Sequence, residues 1–507
     1  MVSNINLSHG LSQLQSKAQI LLRPGSSLSE RVVRAGFWAV VMRVFLAAAN
    51  AAKMIVLARI LSPSDFGLMG IAMLVLALMD IFTRTGFKQA LVQQKDDIKP
   101  YLNTAWTIEV MRNLVLAGGL ILAAPYIARF FNTPDATLLI RVMTLSLVLA
   151  GLNNIAIIYF LKELEFHRQF VHRFAFAGVE VIVAIVLALI LHSVWALVYG
   201  ALAGSVAQLV ASYFLHSYRP RPAFDWAKAR ELYSYGKWIF STGILSYLMF
   251  HLDQLIVGKL LGVASLGFYR MAYNVSQLTG NEVRNVVNQV AFPAYSKLQD
   301  ERSRLRNAYL ETVQWISFLT FPAMAGMFMV SEELVQVVLG AQWAPMTITL
   351  QLLILWGLVG SIGGTRRPVF EAVGRPDIST KLVLGTTVTL MAIIYPFTRW
   401  WGIEGTALAV LVSSLLFYPV GLVVVLNILN CPPLGYLKVM FAPTLCTGIM
   451  VGALYLAKHW VFTEPTTWGL TALILLGAVT FGAAAFLADQ VFHLSIRRKL
   501  LERLRPS

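Results

Sequence analysis

The strongest constraint on this chain is a succession of apolar runs about 20 residues long, each enough to cross a roughly 30 Å hydrocarbon layer as a helix. Fourteen can be counted, at about 35–58, 67–88, 103–124, 137–160, 172–191, 194–215, 235–260, 267–292, 307–330, 346–370, 380–398, 402–426, 437–457 and 468–490. The runs are continuous rather than alternating and are about twice as long as a barrel strand, which selects helices over a transmembrane β-barrel. Composition agrees, with 57% hydrophobic and 13% charged residues and a mean hydropathy of +0.68. Those charges are too few to dress a water-facing surface, so soluble enzymes and fibrous proteins are excluded. The expected fold class is an all-α polytopic membrane protein.

The 41 Lys+Arg and 25 Asp+Glu residues give a net charge of +16. An even number of spans puts both termini on one side, and cytoplasmic loops should hold the basic excess. With both termini in the cytoplasm, inner segments carry roughly four times as many Lys and Arg as outer ones. The outer set is Arg59, Arg129, Arg141, Lys259, Arg270, Arg399 and Lys458. Because the basic residues are dispersed over many short segments, nucleic acid is excluded as a partner. The tail Arg497, Arg498, Lys499, Arg503 and Arg505 suits anchorage at anionic lipid. No outer loop is long enough to fold as a domain, which argues against a receptor or an externally working enzyme. Residues 1–34 are polar and lack the pattern of a cleaved secretory signal; an interfacial amphipathic helix around Leu7–Leu22 and a disordered segment are both open.

Cys431 and Cys446 have no disulfide or metal-like spacing and read as free thiols. Asp65-Phe66-Gly67 spells a kinase triplet without the rest of a kinase, and no HExxH, P-loop or zinc pattern occurs. Neither a metal, a cofactor nor bound ATP is expected.

Shifting the chain on itself by 200 residues, without gaps, brings Gly36, Trp38, Leu61, Gly67, Ala72, Val75, Leu78, Arg84 and Gln89 onto identical residues at 236, 238, 261, 267, 272, 275, 278, 284 and 289. Six spans separate the copies, so both halves have one orientation and would be related by a pseudo-two-fold axis along the membrane normal, as in several transporters. The organisation expected is a cytoplasmic segment 1–34, an N-lobe 35–215, a cytoplasmic linker 216–234, a C-lobe 235–426, two added helices within 427–490 and a basic cytoplasmic tail 491–507.

The eighth run is the least apolar, with Asn274, Gln277, Asn281, Arg284, Asn285 and Asn288. Positions 274, 281 and 288 recur every seven residues with 277 and 284 between them, which makes a polar stripe on one helix face. A single Arg near mid-membrane costs at least about 2.5–3.5 kcal/mol on insertion scales, so such a stripe needs water, partners or ligand. A hydrated cavity and interhelical hydrogen bonding both answer that need. Arg84 and Arg284 are repeat-related, and Arg43 and Arg112 add cations in the first and third runs. Guanidiniums in this setting suit an anionic cargo, because their forks match phosphate oxygens and stay charged when desolvated. The bland alternative pairs each with Asp80, Glu109 or another acid. Lys53 and Asp253 occupy equivalent positions and could form a gate. Asp80, Glu180 and Asp253 are acids that H+ or Na+ coupling would use, and Glu180 stands most alone.

The segments ILSPSDFGLMG, LDQLIVGKLLGVASLGFYRMAYN and FPAYSKL resemble the Wzx-type polysaccharide-export flippases of the multidrug/oligosaccharidyl-lipid/polysaccharide exporter superfamily, and the resemblance runs from about Ala35 to Gln490. It implies a V-shaped pair of six-helix lobes around a central cavity. It also implies alternating-access flipping of undecaprenyl-diphosphate-linked oligosaccharide across the bacterial inner membrane for exopolysaccharide, capsule or O-antigen (lipopolysaccharide) synthesis. Membrane lipids, a polysaccharide polymerase and export machinery are the partners implied. The rivals are a cation-coupled drug or metabolite antiporter of the same superfamily, whose cavity should be acidic, and a membrane-bound glycan polymerase or ligase, which should carry a large outer loop.

Overall fold

The computed structural model describes residues 28–83, 91, 97–163, 165–226, 247–462 and 464–492, and every element among them is helical. Two residues join α1 (Leu28–Ile60) to α2 (Pro63–Thr83). This turn is written into Ser62-Pro63-Ser64-Asp65. The Asp65 N–H donates to Ser62 Oγ (3.3 Å) and the Ser62 N–H donates to Asp65 Oδ2 (3.0 Å), while Pro63 fills a first-turn position that needs no N–H. There follow α3 (Lys99–Phe130), then α4 (Ala136–Leu152), bent by 69° into α5 (Ile155–Lys162), then α6 (Phe166–Leu191) and α7 (Trp195–Leu215). The second half contains α8 (247–261), α9 (Val263–Ser296), α10 (Arg302–Met329), α11 (Thr347–Gly363), α12 (Arg366–Ala372), α13 (Pro376–Ile428), α14 (Pro433–Trp460) and α15 (Thr467–Phe492).

Among the described residues, ten helices are long and apolar enough to cross a membrane, and the bent α4–α5 pair makes an eleventh. α13, one of the ten, folds back at Trp401 and Gly402, where φ of 60° favours glycine. Its two arms are pinned by Thr398 and Thr406, whose hydroxyls lie 2.8 Å apart, and by the Phe417 ring over Gly385. The expected seventh crossing corresponds to α8, whose beginning lies outside the described residues. The eighth corresponds to α9, whose Asn, Gln and Arg residues make it too polar to count among the ten. All seven residues assigned to outer segments lie in helices: Arg59, Arg129 and Lys458 in the last turns of α1, α3 and α14, Lys259 near the end of α8 and Arg399 just before the α13 reversal, with two further inside. Arg141 lies in α4 and donates from Nε to the Ile121 carbonyl (3.3 Å), and Arg270 lies in the third turn of α9.

The surface is that of a multi-pass membrane protein. Val115, Leu122, Phe214 and Val479 are largely exposed, and Tyr126, Trp400, Trp460 and Trp468 stand out at helix ends, as in an interfacial aromatic belt. Several hydroxyls inside helices are satisfied by their own backbone: Thr320 donates to the Ile316 carbonyl and Thr387 to that of Val383, both at 2.9 Å.

Two compact units can be distinguished. The first comprises residues 1–60, 75–128 and 134–247, the second 61–74, 129–133 and 248–507. In the first, α6 and α7 pack closely because Gly204 sits against the Phe176 carbonyl and Glu180. The linker beginning at His216 is strapped along α3: the Arg221 N–H donates to Asn103 Oδ1 (2.9 Å) and the Ala223 N–H to Thr107 Oγ1 (3.0 Å). Burial, aided by Arg168, holds His216 below the usual imidazole range, so its Nδ1 serves as acceptor for the Tyr218 N–H (3.1 Å). In the second unit, α14 and α15 pack on α10 through Met450, Leu454, Leu470 and Leu473.

Candidate functional site

In the first unit the intramembrane charges form two local groups. Lys53 on α1 donates from Nζ to Glu180 Oε1 on α6 at 2.7 Å, with side chains 19% and 14% exposed. Glu180 is therefore not isolated; the long lysine stem reaches it across the α1–α6 contact, built by Phe45 against Phe170 and Phe174. On α3, Arg112 lies 3.8 Å from Glu109, one turn away, and within the field of Asp80 on α2, which is exposed. Beside them Asn113 is buried, donating to the Glu109 carbonyl (2.7 Å) and packing on Gly151. Arg43, on α1, is half-buried. Arg84 lies outside the described residues.

In the second unit the 200-residue repeat is realised in space. The first turns of α2 and α9 cross so closely that a methyl group on Gly67 would run into the Val263 carbonyl oxygen. One on Gly267 would run into that of Pro63, the repeat partner of Val263. One turn further, Arg270 donates from Nη1 to the carbonyl of Gly70, again its own repeat partner, at 2.7 Å. Trp343, fully buried, wedges between Phe66 and Phe268, with ring centroids 5.3 and 5.9 Å away.

Asp253, on α8, lies next to this crossing in a buried setting. Its Oδ2 accepts from the Tyr269 O–H and its Oδ1 from the Gln254 N–H, both at 2.8 Å, and Arg270 is in electrostatic reach. Sequence reasoning singled out Asp253 but not Tyr269, Arg270 or Trp343. The signal available for Arg270 was its spacing of 200 from Gly70.

Along α9 the polar stripe divides. Asn274 is exposed, whereas Gln277 is 7% exposed beside the packed Val275 and Ser276. That buried side rests on α11, where Tyr273 meets Trp356 (5.9 Å between centroids). Asn281, Arg284 and Asn288 continue the helix, and their side chains lie outside the described residues. The arrangement offers half-buried cations and amides, and among the described residues no group of His, Cys, Asp and Glu could hold a metal ion.

Residues 56–348 match a family described as polysaccharide biosynthesis protein. The lipopolysaccharide biosynthesis protein WzxC of Escherichia coli (strain K12) is 28% identical over 375 residues, covering 73% of this chain and 75% of WzxC. The succinoglycan biosynthesis transport protein ExoT of Rhizobium meliloti (strain 1021) is 24% identical over 320 residues, 63% of this chain and 65% of ExoT. Among solved structures, the lipid II flippase MurJ in an inward closed conformation superposes with a TM-score of 0.73 at 15% identity, over 89% of this chain and 98% of MurJ. At that identity the likeness is one of fold.

Proposed function

Since the chain belongs to the polysaccharide biosynthesis protein family, we propose that it flips undecaprenyl-diphosphate-linked oligosaccharide repeat units across the bacterial inner membrane, by alternating access, to supply exopolysaccharide, capsule or O-antigen synthesis. The observation that carries this reading is the match to transport proteins of surface-glycan synthesis along most of the chain, on the fold of a lipid-linked precursor flippase. The chain is a membrane transporter and not an enzyme.

In this reading Arg84, Arg284, Arg43 and Arg112 escort the diphosphate. Asn274, Gln277, Asn281 and Asn288 meet the sugars, and the polyprenyl tail stays in lipid. Lys53, Asp80, Glu180 and Asp253 serve gating or coupling to H+ or Na+. Both termini are cytoplasmic, and a polymerase receives the product on the outer side. Direction comes from differential affinity between the two states or from an ion gradient.

A deletion strain tests the reading. Lipid-linked repeat units should accumulate on the inner leaflet while drug sensitivity stays unchanged; drug hypersensitivity without that accumulation would mean a drug antiporter. Replacing Arg84 and Arg284 together by Gln should abolish glycan export with the protein still in the membrane. Full export from this double variant would remove the diphosphate role.

A further inference from the structure

At the end of α13 away from its Trp401–Gly402 reversal, the two arms enclose an open groove of about 520 Å³. Its wall is apolar, with Phe417, Val420 and Val424 from the second arm facing Ile378 from the first, and its rim carries Arg375 and Lys381. Phe417 closes the floor over Gly385. The rim is ordered by one acid serving two cations: Asp377 takes Arg375 Nε at 3.0 Å and Lys381 Nζ at 3.1 Å. Two more guanidiniums border the same end. Arg302 donates to the carbonyl of Ile428, itself part of the wall, and Arg306 donates to that of Asn430 (3.2 Å). The nearby acids Glu301 and Glu371 are engaged by Arg304 and Arg367. The local balance is positive.

Depth in the membrane follows from length. The first arm, residues 376–400, spans about 37 Å at 1.5 Å per residue, close to a bilayer with its headgroup layers, about 40–45 Å thick. Trp400 and Trp401, both exposed at the far end, mark one interface, which puts Arg375 and Lys381 at the headgroup level of the other leaflet. On the proposed topology that leaflet is the cytoplasmic one, and basic pockets between helices there favour anionic headgroups.

We propose that this groove is a binding site for an anionic glycerophospholipid, its phosphate on Arg375 and Lys381 and one acyl chain along Phe417, Val420 and Val424. The phosphate gains charge-assisted hydrogen bonds from the exposed donors of two cations, for which Asp377 is the present competitor, and the acyl chain covers a wall that would otherwise meet disordered lipid. A lipid held there ties the two arms of α13 together at the end opposite their covalent turn. None of the residues assigned to cargo lines this groove, so the proposal stands or falls independently of flipping.

The test uses the purified full chain in mild detergent, with its melting temperature followed on titration with phosphatidylglycerol, phosphatidylcholine or a short polyprenyl diphosphate. Phosphatidylglycerol should raise the melting temperature saturably and phosphatidylcholine should not. The double variant Arg375→Gln/Lys381→Gln should bind phosphatidylglycerol about tenfold more weakly, and Val424→Trp, which fills the groove, should blunt the response. Asp377→Asn removes the carboxylate that competes for both cations and should tighten binding, a gain that a misfolded variant cannot produce. Equal responses to the two phospholipids, an unchanged affinity in the double variant, or weaker binding in Asp377→Asn would overturn the proposal. A response to the polyprenyl diphosphate alone would also overturn it, by assigning the groove to cargo.

Discussion

Positions 53 and 253 are equivalent in the internal repeat, yet one holds a lysine and the other an aspartate, and each buried charge is answered within its own unit by different means. Lys53 has a full counter-charge in Glu180 at 2.7 Å. Asp253 is held at hydrogen-bond distance by neutral donors, a phenol and a backbone N–H, while the guanidinium in its field donates elsewhere, to the Gly70 carbonyl. Two charged members of an ion pair depend on each other, because removing one leaves the other desolvated and unanswered. A carboxylate answered by neutral donors depends on no single charge. What the repeat retains here is the backbone crossing at Gly67 and Gly267, while the charge at positions 53 and 253 has changed sign.

The retained feature should be the least tolerant of change. Gly67→Ala drives a methyl group into backbone, which cannot swing aside, so the crossing must separate at a cost of about 3 kcal/mol. Gly118→Ala, in α3, is the control, since a methyl group there would meet nothing within 4 Å. Thermal melts of the two variants in detergent should differ by several degrees; equal melting temperatures would mean that the crossing is looser than described. Next in size comes Glu180→Gln. It strands the Lys53 ammonium and should cost about 2 kcal/mol, less than for a fully buried pair because both side chains retain some exposure. Adding Lys53→Met should recover most of that loss. If the double variant is no more stable than Glu180→Gln alone, the pair is not coupled.

Much of this architecture is legible in the sequence because membrane helices announce themselves locally. Unbroken apolar runs locate the helices, Ser62-Pro63-Ser64-Asp65 writes the start of α2, and Trp401-Gly402 falls at the gap between two runs, where α13 reverses. The repeat could be read as well, and its Gly67–Gly267 match turned out to be a contact. Tertiary partners could not be read. Symmetry directed Lys53 toward Asp253, whereas its partner Glu180 lies 127 residues away on a helix with no repeat signal. Arg270 was counted with the outer segments although the run at 267–292 contains it; in the structure it lies two turns inside α9 and is held there by the Gly70 carbonyl, a partner 200 residues away. The linker after His216 has no apolar pattern of its own, and what orders it, Asn103 and Thr107, sits in another helix.

The smallest effects test the other half of the contrast. Asp253→Asn keeps an acceptor oxygen for one of its two donors and introduces no stranded charge among them. It should cost about 1 kcal/mol, roughly half the cost of Glu180→Gln. Tyr269→Phe deletes the phenolic donor and should cost about 1 kcal/mol or less. Because both variants remove one shared hydrogen bond, the double variant should be less destabilised than the sum of the two. A cost for Asp253→Asn as large as that for Glu180→Gln would instead make Arg270 the effective counter-charge. In that case Arg270→Gln combined with Asp253→Asn should restore stability as Lys53→Met does for Glu180→Gln, and the two repeats would share one electrostatic design with its signs exchanged.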